Sequence, residues 1–237
     1  MIDGMPGWNP TPDEVALAEV AVLSDVIPAQ CDAVLIHGAP ARDNELDQRL
    51  LASVVEKYKA RKVSAIVING LSVDDCVAKN LAYAGYEPWQ QFLMSQGVHP
   101  DDIVILEPSV HTGAESVNFL KLAFQNGWGK LMISTHPHHQ MRCFLQIISM
   151  IKELGISCDV YNAPGPGIPW KKILIKTALK GGTVNTQDLN APLAHHIKHE
   201  LKSAIRYAQV PAVKDGKREF TPNASIPEML KYLDKRR

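Results

Sequence analysis

Little in this chain assigns a chemistry outright. Basic and acidic residues cancel, 25 against 25, so no global field favours nucleic acid or an anionic membrane surface. The four cysteines (Cys31, Cys76, Cys143 and Cys158) show no C-x-x-C spacing. That leaves a zinc ribbon or thioredoxin-like motif without ligands and fits reduced, buried thiols in a cytoplasmic protein. No apolar run approaches the roughly 20 residues of a membrane span, and the first fourteen residues lack the basic-then-apolar order of a signal peptide. There is no G-x-G-x-x-G, P-loop, H-E-x-x-H or G-x-S-x-G. Nicotinamide, nucleoside-triphosphate, zinc-protease and acyl-serine chemistries therefore lack their usual sequence support.

What is present is alternation. Five short, nearly all-apolar runs recur at 32–38, 64–70, 102–108, 130–136 and 158–164. Unbroken apolar character marks parallel strands covered on both faces. Helical stripes separate them. Leu46, Leu50, Val54 and Tyr58 follow the first run, Val117, Leu120 and Phe124 the third, and Met141, Leu145 and Ile148 the fourth, ending near Gly155. The pattern predicts one α/β domain over 1–237, a three-layer Rossmann-like sandwich around a mostly parallel, five-stranded, doubly wound sheet. Its core is 32–165. A helix over 12–26, capped by Thr11 with Pro12 at its first position, precedes the core. A C-terminal helical extension over 170–237, with helices near 187–208 and 226–234, follows it. An inserted segment after the second strand predicts a short helix and a loop at the sheet's edge.

The densest polar signal closes the fourth strand. Thr135, His136, His138, His139 and Arg142 fall between a strand's carboxyl end and a helix start, the place where open α/β sheets bind ligands. Gly38 and Gly70 end the first two strands. Glu107 and Ser109 leave the third.

This ordered set resembles the SanA–YdcF–ElyC family, a bacterial group whose domain has no established reaction. The likeness rests on His37-Gly38, Arg49, Asn69-Gly70, Glu87 ahead of Gly97-Val98, Glu107 with Ser109 and Thr112, and the T-x-x-x-H-x-x-R stretch Thr135…His139…Arg142. It covers about residues 32–165. One departure is the family's T-x-E-N after the third strand, here Thr112 to Ser116 with the acid one position later, at Glu115. The resemblance implies the soluble branch, for which S-adenosylmethionine binding is an expectation, and a site built from those residues.

Each residue also carries a plainer reading. Thr112 and Glu115 fit a capping box, T-x-x-E. Glu87 suits a helix N-terminus, Gly38 and Gly70 suit tight turns, and Asn69 suits a turn cap. His136, His138 and His139 suit hydrogen-bonded loop histidines better than metal ligands, so no metal is assigned and a transition metal ranks below S-adenosylmethionine as cofactor. The expectation is an enzyme acting on a small anionic, phosphate- or nucleotide-bearing substrate by hydrolysis or group transfer. His139 is expected as acid/base and Glu107 or Glu115 as its orienting or water-activating partner. Arg142 and Arg49 are expected to hold the anion, and His37, Gly38, Asn69, Gly70, Glu87, Ser109, Thr112, Thr135 and His136 to line the site. A non-catalytic binder of S-adenosylmethionine or a nucleotide is the alternative left open. Homodimerisation is expected only as the base rate for such folds.

Overall fold

The computed structural model of the chain describes residues 11–38, 44–167, 213–214, 217–218 and 223–236. Elements run α1 (Pro12–Leu23), β1 (Cys31–Ile36), α2 (Asn44–Lys59), β2 (Val63–Ile68), α3 (Val73–Ala78) and α4 (Tyr86–Ser95). A 3-10 turn (Pro100–Asp102) then leads to β3 (Ile103–Ile105), α5 (Thr112–Gln125), β4 (Lys130–Ser134), α6 (Pro137–Leu154) and β5 (Asp159–Asn162). A hairpin of β6 (Val213–Lys214) and β7 (Lys217–Arg218) precedes α7 (Ile226–Lys235). Local chemistry explains the ends. Thr11 and Ser225 each close a capping box, with Glu14 and Glu228 respectively. Gly155 ends α6 in the left-handed conformation that glycine adopts without strain.

Five strands pair in the order β3-β2-β1-β4-β5, all parallel. The chain winds outward from β1 through β2 to β3, then crosses back to place β4 on the other flank of β1. The order reverses between β1 and β4, where the connection leaving β1 through α2 and the one leaving β4 through α6 lie on opposite faces of the sheet. Alternate strand residues feed two cores. Ala33, Leu35, Leu131 and Ile133 pack toward α1, α5, α6 and α7, whereas Val34, Ile36, Ile66 and Met132 pack toward α2 and α4. Both faces are covered, so the strands read as continuous apolar runs. This is the Rossmann-like three-layer sandwich expected from the alternation.

Three local expectations need correction. Phe124 is 72% exposed. The buried row of α5 is Glu115, Phe119 and Ala123 with Ser116 and Leu120 beside them, so the stripe is rotated toward β1. The N-cap of α5 is His111, and its side chain makes no cap hydrogen bond. Thr112 and Glu115 therefore form no capping box: Thr112 is the first helical residue and Glu115 turns inward. The C-terminal extension holds a two-stranded hairpin as well as α7. The helix expected near 187–208 lies outside the described residues.

Among the described residues, the outer edge of β5 is closed by side chains instead of another strand. Tyr232 Oη accepts from Val160 N at 2.7 Å and donates to Cys158 O at 2.9 Å. Asp25 Oδ2 accepts from Asn162 N at 2.9 Å and from Asn162 Nδ2 at 3.1 Å. The guanidinium of Arg236 bridges Asp25, at 2.8 Å, to Val160 O, and it stacks 4.5 Å from the Tyr161 ring. These contacts satisfy an edge that would otherwise template pairing with another chain, and they tie α7 and the segment after α1 into one clamp.

Two outcomes follow. Arg236→Ala leaves the Asp25 carboxylate buried without its cation and should lower unfolding free energy by about 3–5 kcal/mol, read by urea denaturation. Burial first, with the Asp32 charge adding, pushes the Cys31 thiol up from 9.0 to about 12. Burial ahead of Asp159 pushes Cys158 from 9.0 to about 11. The folded chain keeps these protons where the unfolded chain releases them, so their contribution is intact below pH 9 and should fall as pH climbs toward 11–12. Urea midpoints measured across that range test the sign.

Candidate functional site

The carboxyl ends of the strands place five backbone segments side by side. His37 N donates to Ser134 O at 2.9 Å, Leu106 N to Ile68 O at 2.9 Å, and Gly165 N to Thr135 O at 2.8 Å. His37, Asn69, Thr135 and the chain after β5 therefore lie along one edge, with the switch point between β1 and β4 among them.

At its centre is a buried chain of polar groups. His37 Nδ1 donates to Glu115 Oε2 at 2.6 Å. The other oxygen, Oε1, accepts from Asn69 Nδ2 at 2.5 Å. The second Nδ2 hydrogen goes to Ser109 O at 2.6 Å, while Asn69 Oδ1 accepts from Ser109 N at 3.0 Å and Leu71 N at 3.2 Å. Every hydrogen-bonding position of this amide is used within the chain. Asn69 thus fixes the turn after β2, the loop before α5 and the Glu115 carboxylate together. Gly70 lets the two turns meet, since a Cβ there would lie 1.9 Å from Leu106 O.

Tyr83, from the segment between α3 and α4, closes this cluster. It donates from its hydroxyl to Asn69 O at 3.0 Å, meets the Trp89 ring edge-on, and lies against Gly38, where a Cβ would come 3.2 Å from its ring. Burial, and then the Glu115 charge, raise its phenol well above 10, so it remains a donor.

The opposite wall comes from the start of α6. His136, its N-cap residue, pairs its Nε2 with Asp47 Oδ1 of α2 at 3.2 Å and stacks on the ring of His138. One turn on, Arg142 donates to His139 Nδ1 at 3.2 Å. A guanidinium cannot accept, so Nδ1 is the lone-pair nitrogen of His139 and Nε2 carries the hydrogen. Gln140 ties the strand end to the helix by accepting from Thr135 N at 3.0 Å and donating to Ile133 O and Asn162 Oδ1. Arg49 donates to Gly167 O at 3.2 Å and so holds the loop after β5.

Of the residues expected in the site, His37, Gly38, Asn69, Gly70, Ser109, Glu115, Thr135 and His136 lie along this edge, with His139 and Arg142 on the first turns of α6. Two sit elsewhere. Glu87 accepts from Val73 N at 3.0 Å, joining the starts of α3 and α4, and Glu107 is exposed, with its backbone oxygen held by Ser109 and Asn118. Among the described residues, no three or more His, Cys, Asp or Glu side chains are grouped to hold a metal ion. No helix among them is long and apolar enough to cross a membrane. Asp47 and Gln140 were not anticipated. Both occupy apolar rows (Asp47, Leu51, Val54 and Gln140, Phe144, Ile147), and a polar residue inside a buried stripe is the signal that marks them. No family model matches the chain, and no curated protein matches it.

Asn69→Ala should leave Ser109 N, Leu71 N and one Glu115 oxygen without their partner. At about 1–3 kcal/mol for each buried group left unpaired, the loss should be large enough to read as a lowered melting temperature. An unchanged melting temperature would contradict its role as the pivot.

Proposed function

We propose that the chain is an enzyme acting on a small anionic, phosphate- or nucleotide-bearing substrate by hydrolysis or group transfer, with His37 as its acid/base group. One observation carries this reading. Glu115 holds His37 through Nδ1, and Nε2 has no hydrogen-bond partner among the described residues although the imidazole is fully buried. A carboxylate that orients an imidazole and stabilises its charged form, leaving the far nitrogen for a proton, is the working part of many acid/base sites. Both Glu115 oxygens are occupied, so it orients and does not itself activate water. This moves the acid/base role from His139 to His37.

Arg142 supplies positive charge on the early turns of α6, beside His139, and its guanidinium suits the fork geometry of phosphate or carboxylate. The resemblance to the SanA–YdcF–ElyC family, resting on the ordered set from His37-Gly38 through Asn69-Gly70 to Thr135…His139…Arg142, supports a ligand site at the same strand ends. Substrate would enter at the switch point with its anion toward Arg142 and its reacting centre toward His37 Nε2.

A thermal-shift and mass-spectrometry screen of nucleotides, sugar phosphates and S-adenosylmethionine tests this, comparing wild type with Arg142→Ala and His37→Gln. The expected result is a stabilising compound whose shift needs Arg142 and whose conversion falls about 100- to 10,000-fold in His37→Gln with binding retained. A shift with the compound returned intact would replace the enzyme by a non-catalytic binder. Full conversion by His37→Gln would remove the assignment of its base.

A further inference from the structure

Two fully buried polar atoms at this edge have no partner among the described residues, His37 Nε2 and Thr135 Oγ1. They are neighbours by register. Leu35 pairs with Ile133 and Ile36 with Ser134, and His37 N continues the ladder to Ser134 O. On the other side of β4, Gly165 N donating to Thr135 O extends the pairing by one more residue. Leu35 and Ile133 both pack toward α5 and α6. Two residues further along each strand, His37 and Thr135 fall on that same face, and the bond from His37 to Glu115 on α5 agrees. Adjacent strands run about 4.8 Å apart, a separation that one oxygen atom can bridge with a hydrogen bond to each side.

Their chemistry selects the occupant. Glu115 accepts the Nδ1 hydrogen, so neutral His37 presents a lone pair at Nε2. Thr135 has its N–H on Gln140 Oε1 and its carbonyl on Gly165 N, so only the hydroxyl is uncommitted, as donor or acceptor. A group that satisfies both and can also act as a nucleophile must donate to Nε2 and keep a lone pair to which the Thr135 hydroxyl can donate. A carbonyl or a fully ionised oxyanion cannot donate, and an ammonium has no lone pair. A hydroxyl oxygen does both.

We infer that Thr135 Oγ1 and His37 Nε2 form one subsite for the attacking hydroxyl, a water molecule or an acceptor alcohol. Thr135 is a catalytic residue in that it touches the nucleophile. The inference rests on the acid/base reading of His37. In the step it describes, the hydroxyl's proton passes to Nε2 while its oxygen bonds to the electrophilic centre of the substrate. The bond to the leaving group breaks, and the leaving oxygen takes the bonding pair and a proton from solvent. His37 then returns its proton to solvent, with no net change in protein charge. Thr135 fixes the direction of the oxygen's remaining lone pair and so aims the attack.

Histidine-selective nitrogen-15 labelling with long-range proton–nitrogen correlation tests the subsite without any substrate, and His37→Gln assigns the resonances. The expected spectrum has His37 protonated at Nδ1 and bare at Nε2. Thr135→Val, close in shape but without the hydroxyl, should move the Nε2 resonance and leave Nδ1 in place, and Thr135→Ser should restore it. Melting curves confirm that the variants fold. A hydrogen on Nε2, or an Nε2 resonance indifferent to Thr135→Val, overturns the subsite whatever the screen finds. With a converted compound in hand, Thr135→Val should lower kcat on the order of 10- to 100-fold at unchanged KM. An unchanged kcat with a displaced Nε2 resonance would make the occupant a structural water and overturn its role as nucleophile. Failure of the screen alone removes the enzymatic reading and leaves the spectroscopic result standing.

Discussion

A carboxylate inside a protein must be matched on both oxygens or it neutralises, and the need to satisfy Glu115 organises the carboxyl edge of this sheet. It lies on the buried row of α5, facing β1. One oxygen is matched by His37 at the end of β1 and the other by Asn69 at the end of β2. Asn69 can face Glu115 only because its remaining positions grip the loop before α5, which in turn sets where α5 begins. The first helical turn, two strand ends and two loops are thus mutually determined. Gly70 is a consequence of the same constraint, because the loops meet at a distance that no side chain tolerates.

The clamp on β5 serves that edge from further away. Asn162 is held on one side by Asp25, itself paired with Arg236, and accepts on the other from Gln140. Gln140 also accepts from Thr135 N. A continuous path of hydrogen bonds therefore runs from α7 through β5 to the residue beside His37. Groups that must be held within a few tenths of an ångström gain from being locked by packing and neighbouring hydrogen bonds, and this path supplies that support for Thr135. It consists of contacts in one arrangement, so it accounts for rigidity rather than signalling.

The fold was legible because its strands are buried on both faces and its helices are not. That contrast writes itself as short apolar runs between striped segments, and the alternation of five strands with helices along the chain followed from it. The site was legible in place but not in detail. Strand ends marked by Gly38, Gly70 and Thr135 located the edge, whereas roles depended on which way a residue faced. Glu115 fits a helix-start motif as well as a buried acid, and only the rotation of α5, with Phe124 outside, decides between them. Asp47 and Gln140 were obscured because each lies within a row of apolar residues, where pattern reading attends to the majority. His139 stood out by spacing, but spacing does not reveal that Arg142 occupies its Nδ1.

That last contact bears on how labour is divided along the edge. His37 and His139 are both buried imidazoles, yet their neighbours fix opposite tautomers. Glu115 is an acceptor, so His37 keeps its hydrogen at Nδ1, and in the neutral imidazole the lone pair is at Nε2. Arg142 is a donor, so His139 keeps its hydrogen at Nε2 and has its lone pair engaged. His136 differs again, with Nε2 directed at the Asp47 carboxylate. A group poised to accept a proton and a group poised to donate a hydrogen bond are what acid/base chemistry on one substrate requires, and opposed environments are how one site holds both. In the proposed reading His37 takes the proton of the nucleophile. His139, beside the anion-holding Arg142, presents an N–H to the charge that builds on the substrate. His136 and His139 are neighbours in sequence but are committed to different partners, Asp47 and Arg142, so each tautomer is set separately.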